Sequence, residues 1–158
     1  MNHKPQVLFF SVGDSTRSQI AEGFLRRFAG HEFIAVSTAT QSVEIDPLTH
    51  DVMREVGIDT SGQHGKELRE SLKEHFSYVV TICDVSREKS PVWPFARNIP
   101  HWNLFDPEQV QGTTDERRQV FREARDEIAR RVREFLDQVH HGKHWSLSTA
   151  TGFLSFNA

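Results

Sequence analysis

Apolar residues along the chain fall into short runs that alternate with stretches of helical periodicity. The run "VLFF" at residues 7–10 ends at a glycine-containing turn, and "RSQIAEGFLRRF" then places Ile20, Ala21, Phe24, Leu25 and Phe28 at helical spacings. Strand, loop and helix follow one another there. "EFIAVS" predicts a second strand, and Asp46-Pro47 caps and opens a helix that runs through Val56 and stops at Gly57. "KELRESLKEHF", residues 66–76, predicts another amphipathic helix. "YVVTIC" is the most β-prone apolar run in the chain and reads as a buried central strand. "NIPHWNLF" gives a fourth strand, in which Pro100 points to an edge position or a strand start. From Thr114 to about His140, the residues Val120, Phe121, Ala124, Ile128, Val132, Phe135, Leu136 and Val139 mark a long amphipathic helix that should cover one sheet face.

Strands that alternate with helices imply right-handed crossovers and an α/β fold with a doubly wound parallel sheet, whose ligands sit at the carboxyl ends of the strands. The loop after "VLFF" lies at such an end. A chain of 158 residues buries one sizeable core, which gives one domain over residues 1–140 and a C-terminal tail over 141–158. Gly142 interrupts the helix there. Trp145, Leu147, Phe153, Leu154 and Phe156 make the tail apolar enough to dock on the domain or to join two copies as a homodimer, with a frayed terminus as the alternative.

Composition narrows the function classes. Nineteen basic against 22 acidic residues leave a formal charge of -3, so no basic field favours nucleic acid. No apolar run approaches the roughly 18 residues of a membrane span, and "MNHKPQVLFFS" lacks a signal-peptide pattern, so no membrane association and a cytoplasmic location are expected. A single cysteine, Cys83, excludes an intramolecular disulfide and a two-cysteine redox relay within the chain.

The opening loop carries the chemistry. Five residues separate Ser11 from Arg17, a length that lets backbone amides curl around a tetrahedral oxyanion at the start of a helix while the guanidinium grips it. As bare spacing the pattern also fits a plain strand-to-helix turn. Four stretches make it specific: "VLFFSVGDSTRSQIAEGF", "DPLTHDVMREVGIDTSGQ", "YVVTICDVSREKSPVWP" and "HWNLFDPEQVQGTTDERRQVFREARDEI". In order and spacing they resemble the low-molecular-weight protein tyrosine phosphatases, and most of all the thioredoxin-coupled arsenate reductases built on that fold.

The resemblance implies a four-stranded parallel sheet of order 2-1-3-4 with helices on both faces. It also implies an oxyanion site formed by Ser11, Val12, Gly13, Asp14, Ser15, Thr16, Arg17 and Ser18, with Asp106 as the general acid. Ser11 stands at the nucleophile's position, and Thr16 aligns with the second loop cysteine of the reductases. Of the remaining redox pair, Cys83 keeps its cysteine while Ser90 does not. Asp14 stands where the resemblance places an asparagine that serves the loop backbone, which favours an inward turn acceptor over a carboxylate that faces the ligand. Glu22 and Ser37 match a monovalent-cation site, and Lys66 falls where a carboxylate belongs, so its ammonium either replaces the ion or is a solvated lysine.

The loss of the thiol is decisive for chemistry. A helix terminus and an arginine lower a cysteine pKa from about 8.5 into a range of roughly 3.5 to 7.5. The same field cannot ionise a serine hydroxyl, which needs a neighbouring base or a metal. No histidine lies in the loop, and His64 or His101 would have to be brought there by folding. The expectation is a non-catalytic relative that binds phosphate, sulfate, arsenate or a phosphorylated group, with no cofactor and no metal. The runner-up is residual phosphatase or arsenate reductase activity, completed by a cysteine-bearing partner. "HHGKH" at 140–144 reads as an incidental surface cluster, and Trp93, Phe95 and Trp102 read equally as pocket wall or core.

Overall fold

A computed structural model describes residues 3–41, 44–88 and 99–143. The strands β1 (Gln6–Ser11), β2 (Ile34–Ala39), β3 (Tyr78–Cys83) and β4 (His101–Asn103) form one sheet in the order β2-β1-β3-β4, and all pairings are parallel. The helices are α1 (Thr16–Ala29), α2 (Pro47–Glu55), α3 (Leu68–Ser71) and α4 (Thr114–His140), with a 3-10 turn at Pro107–Gln109. Order and direction match the sequence reading. β3 is central, and β4 lies at the edge, where the Pro100 carbonyl accepts from Thr81 N and the missing proline donor is harmless.

β1 is buried on both sides and so reads as a continuous apolar run. Val7 and Phe9 join α1 and α4 in the main core, with Ile20, Leu25, Ile128, Val132 and Phe135. Leu8 and Phe10 face the other way, onto Phe76 and Val79, with Leu68 packed alongside. Side-chain alternation along β1 therefore assigns each residue to a layer, which matters at its last position, Ser11. In α4, Phe135 meets Tyr78 edge-on at 5.4 Å. Arg125 and Arg122 tie α4 to Glu55 of α2, and Arg125 also donates to the Val52 carbonyl.

Local signals explain the helix ends. Asp46 accepts from Leu48 N ahead of Pro47, and Gly57 adopts φ +78 behind α2. Thr113 caps α4 by accepting from Glu116 N. The helix expected over 66–76 is shorter than its periodicity predicts. Only Leu68–Ser71 is helical, and beyond it Lys73 N and Glu74 N bond to Glu70 O and Ser71 O in turns. The cause is burial: Leu72 is 41% exposed, so the apolar stripe that should pin the helix is broken. Among the described residues no helix is long and apolar enough to cross a membrane. The tail beyond 143, with its expected docking or dimer contacts, lies outside the described residues.

Phe135→Ala should cost about 3 to 5 kcal/mol of stability in denaturant unfolding, because a fully buried ring leaves a cavity. Leu72→Ala should change stability by less than about 0.5 kcal/mol, as for other surface substitutions. A large Leu72 effect would mean that the 66–76 helix packs as the periodicity suggested.

Candidate functional site

The loop grows from the sheet. β1 ends at Ser11, whose register neighbours are Ala39 on β2 and Ile82 on β3. Val12 N still donates to Ile82 O at 2.9 Å, after which the chain turns away through Gly13 at φ +92. Thr40 Oγ1 accepts from Gly13 N at 2.6 Å, and Asp14 Oδ1 accepts from Thr16 N at 3.1 Å. Ser15 takes the N-cap position of α1 without a side-chain cap bond, since its hydroxyl donates to Glu44 O instead. Gln19 N makes the first intrahelical bond, to Ser15 O at 2.9 Å, and the amides ahead of it point toward the loop as at any helix start.

Arg17 is fully buried. Its Nη2 donates to Val12 O at 2.6 Å, and its Nη1 donates to Leu104 O at 2.9 Å. Glu88, in the turn after β3, meets the same two nitrogens at 3.0 and 3.2 Å. Asp106 Oδ2 lies 3.8 Å from Nη2. Arg17 Nε is buried with no hydrogen-bond partner among the described residues. The cleft above the loop is lined by Gly13, Asp14, Asp84, Arg87, Glu88 and Asp106, among others.

Ser11 Oγ is buried, 2.9 Å from the Asp14 carbonyl and 2.8 Å from Ser18 Oγ, which itself donates to Ser15 O. Neither partner is a base. His101 cannot serve, because Ser11 shares a sheet face with Ile82, while His101 bonds to Thr81 and approaches Cys83 on the opposite face. Burial pushes the His101 imidazole down to about 4, so it is neutral near pH 7. His64 is exposed. Thr16 donates to Glu108 Oε1 at 2.5 Å and so laces the loop to the segment after β4.

Asp106 caps the 3-10 turn by accepting from Glu108 N, and it also lines the cleft. Asp14 is likewise a turn acceptor, through Thr16 N, and it lines the same cleft as Asp106. Burial lifts Asp14 from 3.8 to about 6, with Glu108 adding to the rise. Burial also lifts Asp106 to about 6, with Asp14 beside it and Arg17 pulling the other way. Each of the two carboxyls therefore keeps its proton into the range where a free aspartate is fully ionised.

Behind the loop, Glu22 accepts from Ser37 Oγ at 3.5 Å and pairs with Arg26 at 3.1 Å. The Lys66 ammonium pairs with Glu74, so the cation that faces Glu22 is Arg26. The described residues hold no cluster suited to a metal ion. His140 pairs with Glu32, His141 caps its own helix end on Asp137 O, and His144 lies outside the described residues. Trp102 is a core residue that packs on Phe9 at 5.7 Å. Ser90, Trp93 and Phe95 lie outside the described residues. Sequence reasoning missed Glu88 and Glu108. The available trace of Glu88 was the Asp84-x-x-x-Glu88 spacing, which becomes a turn with Glu88 N on Asp84 O at 2.7 Å.

Residues 6–144 match the family described as low molecular weight phosphotyrosine protein phosphatase. An arsenate reductase of Halalkalibacterium halodurans is 33% identical over 135 residues, covering 85% of this chain and 97% of that protein. The arsenate reductase of Bacillus subtilis is 34% identical over 131 residues, covering 83% and 94%. A solved arsenate reductase in the phosphate binding state superposes with a TM-score of 0.70 at 27% identity, covering 85% of this chain and 98% of that one.

Burial lifts Glu22 from 4.5 to about 7, against the pull of Arg26. Its folded-state pKa is raised, so between those values the native protein keeps a proton that the unfolded chain has released, and stability falls as pH rises through the window. Glu22→Gln should flatten that slope in urea unfolding measured across the range and raise stability at its upper end, by at most on the order of 3 kcal/mol. An unchanged slope would mean that Glu22 titrates normally.

Proposed function

The chain belongs to the low molecular weight phosphotyrosine protein phosphatase family, and from that premise we propose that it is a non-catalytic member that receives a small oxyanion or a phosphorylated group in the loop 11–17. The observation that carries the reading is Arg17. A guanidinium that cannot be deprotonated is buried at the start of α1 with its Nε unpaired among the described residues, beside first-turn amides that the Ser15 side chain does not cap. A tetrahedral anion supplies acceptors for both. A protein of the same fold, the arsenate reductase solved in the phosphate binding state, adds support for an anion site on this scaffold.

Catalysis lacks its means. Ser11 has a carbonyl and a hydroxyl for partners, and among the described residues nothing near it accepts its proton in the way a nucleophilic serine requires. Arsenate reduction on this fold ends in a disulfide, while the chain has one cysteine, buried at the end of β3. Asp106 keeps a proton to about pH 6, as a general acid should, but without a leaving group on Ser11 that proton has no use in catalysis. It acts on binding instead. A carboxylate about 4 Å from a bound anion costs up to about 4 kcal/mol at an effective dielectric near 20, well above the 0.3 to 1 kcal/mol that a helix terminus typically gives. Protonation of the Asp14–Asp106 pair removes that opposition.

Calorimetric titration with sulfate, which does not titrate near neutrality, tests the receptor directly. The anion raises the pKa of the carboxyls it meets, so affinity should be highest below about pH 6 and fall as pH rises above it, by up to tenfold per pH unit for each proton coupled. Arg17→Lys keeps the charge and loses the planar fork, and should weaken binding by roughly 10- to 100-fold in a variant shown to be folded by circular dichroism. If sulfate, phosphate and arsenate all fail to bind at millimolar concentration in the parent, the receptor reading is wrong.

Hydrolysis of an aryl phosphate should stay at buffer background. Ser11→Cys should introduce turnover, because the thiol enters a field that lowers its pKa. Parent turnover that disappears in Ser11→Ala would restore the enzyme reading.

A further inference from the structure

The carboxylate of Glu88 lies on the guanidinium of Arg17 in a fork-to-fork pair, Oε1 on Nη1 at 3.0 Å and Oε2 on Nη2 at 3.2 Å. That arrangement is the one in which a planar guanidinium also holds a phosphate or sulfate. The match with an anion extends beyond the arginine. Oε1 accepts a backbone amide as well, from Asp84 N at 2.6 Å, so the carboxylate collects main-chain and guanidinium donors together. It also reaches into the loop: a Cβ added at Gly13 would stand 3.1 Å from Oε2. The glycine leaves room for the carboxylate at the place where the loop backbone faces the cleft.

Resting on the receptor reading above, we propose that Glu88 is the resident anion of this site, an internal competitor that an incoming oxyanion must displace from the Arg17 fork. Two features make displacement feasible. The Glu88 side chain is 17% exposed and borders the cleft, so it can swing to water without unpacking the core. Arg17 Nε is buried with no partner among the described residues, so a donor remains on the guanidinium for the anion that takes the place of Glu88. The turn that carries Glu88 is held separately, by Ser86 N and Ser86 Oγ on Asp84 Oδ1 and by Glu88 N on Asp84 O, so the backbone can stay while the side chain moves. The consequence is a receptor with a set threshold: only an anion that outcompetes a carboxylate tethered to the same molecule is retained.

Sulfate titrations of the full chain, at constant ionic strength adjusted with chloride, should compare the parent with Glu88→Gln and Glu88→Ala. Both variants should bind sulfate more tightly, by about tenfold or more, since a like charge beside the ligand is gone. In sulfate-free buffer Glu88→Ala should melt at a lower temperature than the parent, because a buried guanidinium has lost its counter-charge, and added sulfate should restore the difference. Equal affinity in all three proteins overturns the competition while leaving the receptor intact. Weaker binding in the variants overturns it too, by making Glu88 part of the receptor's frame. If the parent and both variants all fail to bind sulfate, the receptor reading falls, and Glu88 is only a structural partner of Arg17. Should Glu88→Ala fail to fold, Glu88→Asp retains the charge but withdraws it by one methylene, and an affinity no higher than the parent's would overturn the proposal.

Discussion

A buried guanidinium organises the functional end of this molecule. Arg17 is fully buried, and a charge removed from water must find compensation nearby. Its acceptors come from three places in the chain: Val12 in the loop after β1, Leu104 after β4, and Glu88 in the turn after β3. Each of those segments follows a strand of one parallel sheet, so the sheet's carboxyl edge delivers all three to the same point. Removal of the arginine would leave these acceptors without their shared donor.

The surroundings of that charge are more acidic than an anion receptor needs. Glu88 and Asp106 lie against one guanidinium with Asp14 in the same cleft, and the electrostatics resolve in two ways. Glu88 pairs with Arg17 outright. Asp14 and Asp106 instead hold a proton to about pH 6, because burial makes a second full negative charge unfavourable there. With a thiolate in place of Ser11, another negative charge would enter the same space. The serine and the carboxylates are therefore compatible: a neutral hydroxyl bonded to Ser18 and to the loop carbonyl leaves the field of Arg17 to the acids.

Much of this is legible in the residues alone. The alternation of strands and helices, the helix cap at Asp46, the limits of α4 and the place of the Ser11–Arg17 loop follow from period, cap chemistry and five residues between a strand end and an arginine, while the strand order is what the resemblance implied. Such rules act over a few residues, so the sequence contains them directly. The helix over 66–76 failed by the same logic, because a local pattern does not reveal that Leu72 has no core to enter.

Contacts between residues far apart in the chain were settled by the fold alone. Glu88 is 71 residues from Arg17, and the Asp84-x-x-x-Glu88 spacing in "DVSREK" marks a turn but no partner until parallel pairing of β1 with β3 sets the two loops side by side. The raised pKa values of Asp14 and Asp106 likewise depend on burial, which brings together residues 92 positions apart. The sheet face also decided that His101 meets Thr81 and Cys83 rather than Ser11, since in-register neighbours point the same way and alternate residues do not. Residue types specify what a group can do; its charge state and its partner depend on distance and dielectric, which exist only once the chain is folded.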